Sequence, residues 1–213
     1  MVIHALIIDF DGTLVTKDLT DMLSGLVNKT EESRELDHLF HTGKLKGLEG
    51  LVRRINFLSG ISLEQIREAT AKNDYLRAGA RELFEYLKSH DIITIIASGS
   101  TMPLLEIYQQ KLGVDYLVGS KPHVTNGKII SISENDYSGP DFKVRDTKLI
   151  LDSLGISPSH VVAIGDSPAD LGIFELSAKS ISINPQYGIE DYCDYVIYDD
   201  LSKAIPILVS LSS

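Results

Sequence analysis

The chain has 213 residues, of which 43% are hydrophobic and 23% charged, a composition typical of a soluble globular domain large enough to carry a smaller insert. Its net charge of −10 argues against a nucleic-acid partner, because phosphate backbones are bound by basic surfaces. The one cysteine, Cys193, excludes an intrachain disulfide and fits a cytoplasmic location. No membrane partner or secretory signal is expected, since the first apolar run lacks a basic start and ends at Asp9. These totals leave the oligomeric state open.

Two carboxylates follow the first predicted strand. The apolar run 2–8 predicts a buried strand, which leads into Asp9 and Asp11. Side chains two positions apart point to the same side of a strand, so both acids are expected to face one small volume. A bound cation, or a proton on one acid, relieves their repulsion, and both conditions suit magnesium-dependent phosphoryl transfer. The simpler alternative is an acidic Asp-Gly turn at a strand end.

Residues 16–78 show helical patterns and no strand pattern. Asp18 is predicted to cap the first helix and Ser62 the last, while a series of glycines ending at Gly50 is predicted to interrupt the helices between them. The predicted helices cover residues 18–27, 31–40, 51–60 and 62–69. We therefore expect a small helical unit, residues 15–78, inserted into a core made of residues 1–14 and 79–213.

Helices alternate with strands in the rest of the chain. In order, the patterns predict helix 79–90, strand 92–97, helix 101–112, strand 116–118, a hairpin over 124–130, helix 143–154, strand 160–164, helix 169–178, strands 180–183 and 195–197, and a helix from 201. This alternation predicts an α/β fold with a parallel sheet and right-handed crossovers. Ligands bind beyond the carboxyl ends of such strands. Asp9, Asp11, Ser98 and Asp166 are therefore expected at one edge.

Four motifs in this order carry a family resemblance. They are Asp9-Phe10-Asp11-Gly12-Thr13-Leu14-Val15, Ser98-Gly99, Lys143, and Gly165-Asp166 with Asp170. The chain resembles the haloacid dehalogenase (HAD) superfamily and, within it, the phosphoserine phosphatase-like branch, whose helical insertion occupies the same place. The resemblance implies a Rossmann-like parallel core with a small helical cap after the first strand. It also implies a phosphomonoester hydrolase that works through an aspartyl-phosphate.

The resemblance assigns chemical roles to the acids. Asp9 would be the nucleophile, and Asp11 would act as general acid and then as general base. Magnesium (Mg²⁺), which prefers oxygen ligands, would be held by Asp9, by the backbone carbonyl of Asp11 and by Asp166. Asp170 would support the metal shell.

The resemblance also implies a phosphate-binding set. Ser98 and the Gly99 amide would bind phosphoryl oxygens at a helix N-terminus, and Lys143 would neutralise both the phosphate and the nucleophile. Ser98 could instead be only a helix cap. Lys148 and Lys121 are the competing lysines, and Lys143 is preferred because its position at the start of the helix before the Asp166 strand matches the family, whereas Lys148 lies further into that helix.

The predicted substrate is phosphoserine or a similar small phosphorylated metabolite. At positions that match the branch, Asp18 would bind a substrate amine and Arg54 a substrate carboxylate. Four positions depart from the branch's pattern: Asp18 replaces a glutamate, the branch's large apolar cap residue falls near Gly47, Ser100 replaces a glycine and Ala169 an asparagine. The alternative substrate is a phosphosugar or another small phosphometabolite. Arg54 could instead be an ordinary solvated residue on a helix surface.

Two other classes share part of this constellation. A signalling receiver also combines acids, a hydroxyl and a lysine around magnesium, but its phospho-accepting aspartate lies on a later strand and it lacks a helical insert. A non-catalytic binding protein would be indicated by the loss of a motif residue, and all four motifs are present.

Overall fold

The computed structural model describes residues 1–212, and its centre is a parallel β-sheet. In chain order the strands are β1 (Ala5–Ile8), β2 (Ile93–Thr101), β3 (Tyr116–Ser120), β4 (His123–Thr125), β5 (Lys128–Ser131), β6 (Val161–Gly165), β7 (Lys179–Ile183) and β8 (Tyr195–Ile197). Six of them form the parallel sheet in the order β3-β2-β1-β6-β7-β8, and β4 and β5 form a separate antiparallel hairpin. β1 lies between β2 and β6, so the strand that leads into Asp9 is central.

Helices connect the strands of the sheet. They are α1 (Leu19–Ser24), α2 (Thr30–His41), α3 (Glu49–Asn56), α4 (Leu63–Ala71), α5 (Ala80–Ser89), α6 (Met102–Leu112), α7 (Phe142–Leu154), α8 (Leu171–Glu175) and α9 (Ala204–Ser212). Four of them, α1 to α4, lie between β1 and the crossover helix α5. Within residues 1–212, none has both the length and the hydropathy needed to cross a bilayer. The predicted α/β class, a Rossmann-like parallel sheet with helices inserted after the first strand, is confirmed.

Both faces of the sheet are covered by apolar layers. Leu6 and Ile8 of β1 belong to one layer, and Ala5 and Ile7 belong to the other; all four are fully buried. A strand buried on both faces needs apolar residues at every position, which explains its unbroken apolar sequence. β1 is therefore packed on both faces, and this packing fixes where the residues that follow it, beginning with Asp9, lie.

Several element boundaries differ from the sequence predictions. β1 begins at Ala5 and not at residue 2, since Val2 is 62% exposed and contributes no core packing. Gly50 lies inside α3 and does not interrupt a helix, because its missing side chain leaves room for Leu45. The predicted breaks therefore fall only at the glycines before α3.

The predicted helices near residues 169 and 201 each begin with a turn of 3₁₀ helix. The first is Pro168–Asp170 followed by α8, which ends at Glu175 and not at 178. The second is Leu201–Lys203 followed by α9. In both, an aspartate side chain accepts a hydrogen bond from a backbone N–H at that turn, which favours the tighter geometry at a helix start.

Candidate active site

An ion-pair network links the end of β1 to the first turn of α7. Lys143 Nζ lies 2.9 Å from Asp9 Oδ1 and 2.7 Å from Asp170 Oδ1. Asp9 is 7% exposed and Asp170 is fully buried. Although burial lowers the pKa of Lys143, the adjacent Asp170 and Asp9 raise it above its ordinary value, so the lysine is charged. The ammonium group of Lys143 therefore forms ion pairs with two buried carboxylates that are distant from each other in the sequence.

A third carboxylate joins them. Oxygen atoms of Asp9, Asp166 and Asp170 all lie within 4.8 Å of one another. Burial, together with the charge of Asp170, raises the pKa of Asp9 well above its ordinary value despite Lys143. The same two causes raise the pKa of Asp166 to about 7. The group thus carries more negative charge than Lys143 can balance, which is the condition that a bound cation relieves.

Two side-chain donors fix the position of the Asp166 carboxylate after β6. Thr13 Oγ1 donates to its Oδ1 at 3.1 Å, and Gln186 Nε2 donates to its Oδ2 at 2.6 Å. Gly12, whose φ is +75°, passes so close that an added Cβ would lie 2.4 Å from Asp166 Oδ2. A side chain is excluded there by both the backbone conformation and the contact. The Asp-Gly dipeptide therefore does more than form a turn, because its glycine makes room for Asp166.

Asp170 stabilises the turn that follows β6, to which it belongs itself. Its Oδ2 accepts hydrogen bonds from the backbone N–H groups of Asp166 at 2.9 Å and Ser167 at 3.2 Å. Its Oδ1 accepts from Lys143. Asp170 therefore orients both the Asp166 loop and the lysine, and its oxygen atoms also lie within the carboxylate group.

The side chain of Asp11 faces the inserted helices and not the carboxylate group. Its Oδ1 accepts from the backbone N–H of Leu19 at 2.8 Å, and its Oδ2 accepts from Ser100 Oγ at 2.5 Å. Burial and the nearby Asp18 raise the pKa of Asp11 to about 8, although the bond from Ser100 opposes this. Asp9 and Asp11 thus share one cavity but contact different groups, because β1 ends at Ile8 and the alternation of a strand does not extend to them.

Ser98 and Gly99 line the same cavity but lie on an extended strand. β2 continues to Thr101 and α6 begins at Met102, so the expectation that they stand at a helix N-terminus is wrong. The strand is held past residue 97 because Thr101 pairs with Ser120 of β3 after an irregularity in register. Ser98 Oγ accepts from the backbone N–H of Ser100 at 3.0 Å, and Ser98 is not a cap of α6.

These groups open into a cavity of about 570 Å³ between the sheet edge and the inserted helices. Its far wall includes Asp18, Asp37 and Arg54. At one side the ring of His41 from α2 stacks on the ring of Tyr187 from the loop after β7, with centroids 4.9 Å apart and planes 7° from parallel. The inserted helices and the core therefore meet across the cavity, which has room for a small phosphorylated compound.

Asp18 and Arg54 are brought together by the structure, as an ion pair on the cavity wall. Asp18 also caps α1, where its Oδ1 accepts from the backbone N–H of Asp21 at 2.8 Å. Arg54 is 8% exposed, so the solvated-helix alternative is wrong. The guanidinium also pairs with Asp37 at 2.6 Å and Asp21 at 3.1 Å.

Sequence reasoning missed several residues of the site. Ser100 contacts Asp11, Gln186 contacts Asp166 and Asp37 contacts Arg54. The sequence marks Ser100 only as a departure from the family pattern, and its place two residues after Ser98 is the available signal. Gln186 and Asp37 lie outside the motifs, and nothing in the local sequence marks them.

Comparison with known proteins agrees with this geometry. A curated phosphoserine phosphatase of Campylobacter jejuni subsp. doylei is 26% identical over 203 residues, which cover 95% of this chain and 98% of that protein. One from Archaeoglobus fulgidus is 27% identical over 189 residues, 89% of this chain, but the match spans only 55% of that protein. A solved phospho-aspartyl intermediate analogue of phosphoserine phosphatase superposes with a TM-score of 0.84 at 23% identity, covering 97% and 99% of the two chains. The family model of haloacid dehalogenase-like hydrolases matches residues 6–175, and the chain belongs to that family.

Proposed function

We propose that the chain hydrolyses small phosphate monoesters with Asp9 as the nucleophile. The observation that carries the proposal is the buried group of Asp9, Asp166 and Asp170 with Lys143 at the carboxyl edge of the sheet. The relatives named above support O-phosphoserine as the first compound to test. Those relatives are named phosphoserine phosphatases, and the proposal assigns the same kind of activity to this chain.

The residues present fit a magnesium ion. Three buried carboxylates lie together, only two of them pair with the ammonium of Lys143, and Mg²⁺ prefers such oxygen ligands. Asp9 and Asp166 would hold it with their carboxylates and Asp11 with its backbone carbonyl, while Asp170 orients the loop. When bound, the ion polarises a phosphoryl oxygen and offsets the repulsion between the phosphate and Asp9.

The protein's own groups supply the remaining chemistry. A carboxylate oxygen of Asp9 forms a bond to phosphorus, and the bond from phosphorus to the ester oxygen breaks. Asp11 gives its proton to the departing alcohol, for which its raised pKa of about 8 keeps it protonated at neutral pH. Asp11 then takes a proton from the water that attacks phosphorus, and phosphate leaves while Asp9 is regenerated.

Ser98, Gly99 and Lys143 are proposed to bind the phosphoryl group. All three line the cavity beside Asp9. Lys143 carries a positive charge into a buried site, where its attraction for a phosphate is strong. For phosphoserine, Asp18 would bind the amine and Arg54 the carboxylate.

Residues 15–78 are proposed to act as a cap that encloses the substrate. The chain enters and leaves this segment side by side, through a bridge between Val15 and Leu76 and a hydrogen bond from Arg77 N to Leu14 O at 3.0 Å. Two adjacent connections allow such a segment to move as a unit. Its helices supply the cavity wall that faces Asp9.

The proposed function is tested with p-nitrophenyl phosphate. We expect phosphate release that requires Mg²⁺, is abolished by EDTA and returns when Mg²⁺ is added in excess, because the carboxylate group cannot position a dianion without a cation. Colorimetric rates with and without EDTA measure this. Hydrolysis that persists unchanged in EDTA would reject the metal-dependent mechanism.

Replacing Ser100 by alanine is expected to change the pH dependence of hydrolysis. The hydroxyl donates to Asp11 and favours its charged form, so its removal raises the pKa of Asp11. Since the acid must be protonated, wild-type activity should fall as pH rises through about 8, and in Ser100→Ala this decline should move to higher pH. Profiles of kcat/KM against pH measure the change.

Ser182→Ala is the matched control for this profile. Ser182 is also a buried serine, and within residues 1–212 its hydroxyl has no hydrogen-bond partner. The profile of this variant should match the wild type. An alkaline limb in Ser100→Ala that stays in place or moves to lower pH would show that Ser100 does not influence the acid.

A further inference from the structure

Three carboxylates and a serine surround the guanidinium of Arg54. Nη1 donates to Asp37 Oδ1 at 2.6 Å, Nη2 donates to Asp18 and to Asp21 Oδ1 at 3.1 Å, and Nε donates to Ser33 Oγ at 3.1 Å. A guanidinium has five N–H donors. Within residues 1–212, one N–H of Nη1 remains without a partner. An incoming carboxylate therefore finds at most one free donor on Arg54.

The three acids differ in what they face. Asp18 and Asp37 line the large cavity that contains Asp9. Asp21 pairs with the same guanidinium but does not line that cavity, and lines instead a smaller neighbouring one, which Asp18 also lines. Asp37 therefore occupies one of the two Nη1 donors from the wall of the cavity that contains Asp9.

The charge around Arg54 is negative on balance. Asp18, Asp21 and Asp37 oppose one guanidinium, and His41, whose Nε2 lies 3.5 Å from Asp37 Oδ2, adds no charge because burial lowers its pKa. The other cations that line the large cavity are Lys17 and Lys143. Lys143 is paired with Asp9 and Asp170, and Lys17 is exposed at the cap end of the cavity.

We propose that Asp37 is a specificity-determining residue that competes with a substrate carboxylate for Arg54. Phosphomonoesters whose alcohol part carries an ammonium but no carboxylate avoid this competition and gain from Asp18 and Asp37. Phosphorylated α-amino acids must displace Asp37 from Nη1 or bind beside it. The inference rests on the proposed function, since it assumes that the phosphate lies at Asp9.

The test compares the binding of two probes that differ by one carboxylate. O-Phosphoserine and O-phosphoethanolamine are titrated calorimetrically, with Mg²⁺, into the Asp9→Asn chain, in which turnover is blocked. The same titrations are run after adding Asp37→Asn and, separately, Asp21→Asn. Asp21→Asn is the control, because it removes one negative charge beside the same guanidinium and leaves Asp37 in place on the cavity wall.

The measured quantity is the ratio of the Kd for O-phosphoserine to the Kd for O-phosphoethanolamine. We expect this ratio to fall at least about fivefold with Asp37→Asn, because like charges facing each other in a site disfavour binding strongly, and to change little with Asp21→Asn. A ratio that is unchanged with Asp37→Asn, or that falls equally in both variants, would overturn the proposal. So would the absence of binding by both probes.

These outcomes are separable from a failure of the proposed function. Binding in the Asp9→Asn chain requires no turnover, whereas hydrolysis of p-nitrophenyl phosphate by the wild-type chain requires neither an amine nor a carboxylate. Each proposal can therefore fail while the other stands.

Discussion

Replacing Asp9 by asparagine is expected to reduce phosphate release by at least about 10⁴-fold, because an amide oxygen cannot take the place of the attacking carboxylate. The loss should appear in kcat with every phosphomonoester, since the nucleophile is common to all of them. Steady-state rates with p-nitrophenyl phosphate and O-phosphoserine measure it.

The Asp9→Asn chain should nevertheless fold normally. Burial and the neighbouring acids raise the pKa of Asp9, so its ionised form is costly in the folded state, and a neutral amide removes that cost. Asp194→Asn is the control, since Asp194 is a partly exposed acid that pairs with Lys179. Full activity in Asp9→Asn, or equal losses in the two variants, would reject Asp9 as nucleophile.

Replacing Lys143 by methionine is expected to lower both activity and stability. Its Nζ is the only protein cation within 4 Å of Asp9 and Asp170 in residues 1–212. Removing one partner of a buried ion pair costs about 3–5 kcal/mol of the free energy of unfolding, because the remaining charges stay buried. Loss of the phosphate-binding charge should lower kcat/KM by about 10²–10³-fold. Chemical denaturation without metal, and steady-state kinetics with it, measure the two effects.

The loss of stability should depend on pH in a defined direction. Lys143 lowers the pKa of Asp9, so its removal raises that pKa further. A carboxyl group whose pKa is higher in the folded chain than in the unfolded chain binds more protons when folded, so the free energy of unfolding falls as pH rises. The difference between Lys143→Met and wild type should therefore be largest at neutral and alkaline pH and decrease in acid.

Lys148→Met provides the matched control. Lys148 lies on the same helix, α7, and its partner Asp152 is four residues away and exposed. Such exposed pairs contribute only about 0–1 kcal/mol. A Lys143→Met chain as stable as Lys148→Met across the pH range would contradict the account of the buried network.

The order of elements and the edge of the sheet could be predicted because they follow from local patterns. The apolar runs before Asp9 and Asp166 are long enough to identify buried strands, and parallel strands bring their carboxyl ends to one edge. The contact between Lys143 and Asp9, 134 residues apart, follows from that topology once the family motif selects this lysine.

Contacts that depend on tertiary packing could not be predicted. β2 continues past Ser98 because Thr101 pairs with Ser120 of β3. The local sequence around Ser98 does not indicate this pairing, because the partner strand lies further along the chain. The partners of Arg54 could not be predicted for the same reason, because Asp37 reaches the guanidinium only through the packing of α2 on α3. Motif matching identified Arg54, but the acids around it, which bear on substrate choice, required the structure.

The most direct test of the central claim is to trap the phosphoryl group on the protein. The wild-type chain is mixed with substrate and Mg²⁺, quenched in acid within one turnover and digested, and the acyl phosphate is reduced with borohydride before peptide mass spectrometry. We expect the modification at Asp9, with none in the Asp9→Asn chain. Turnover without any modified carboxylate, or with the modification at Asp11 or Asp166, would contradict the account.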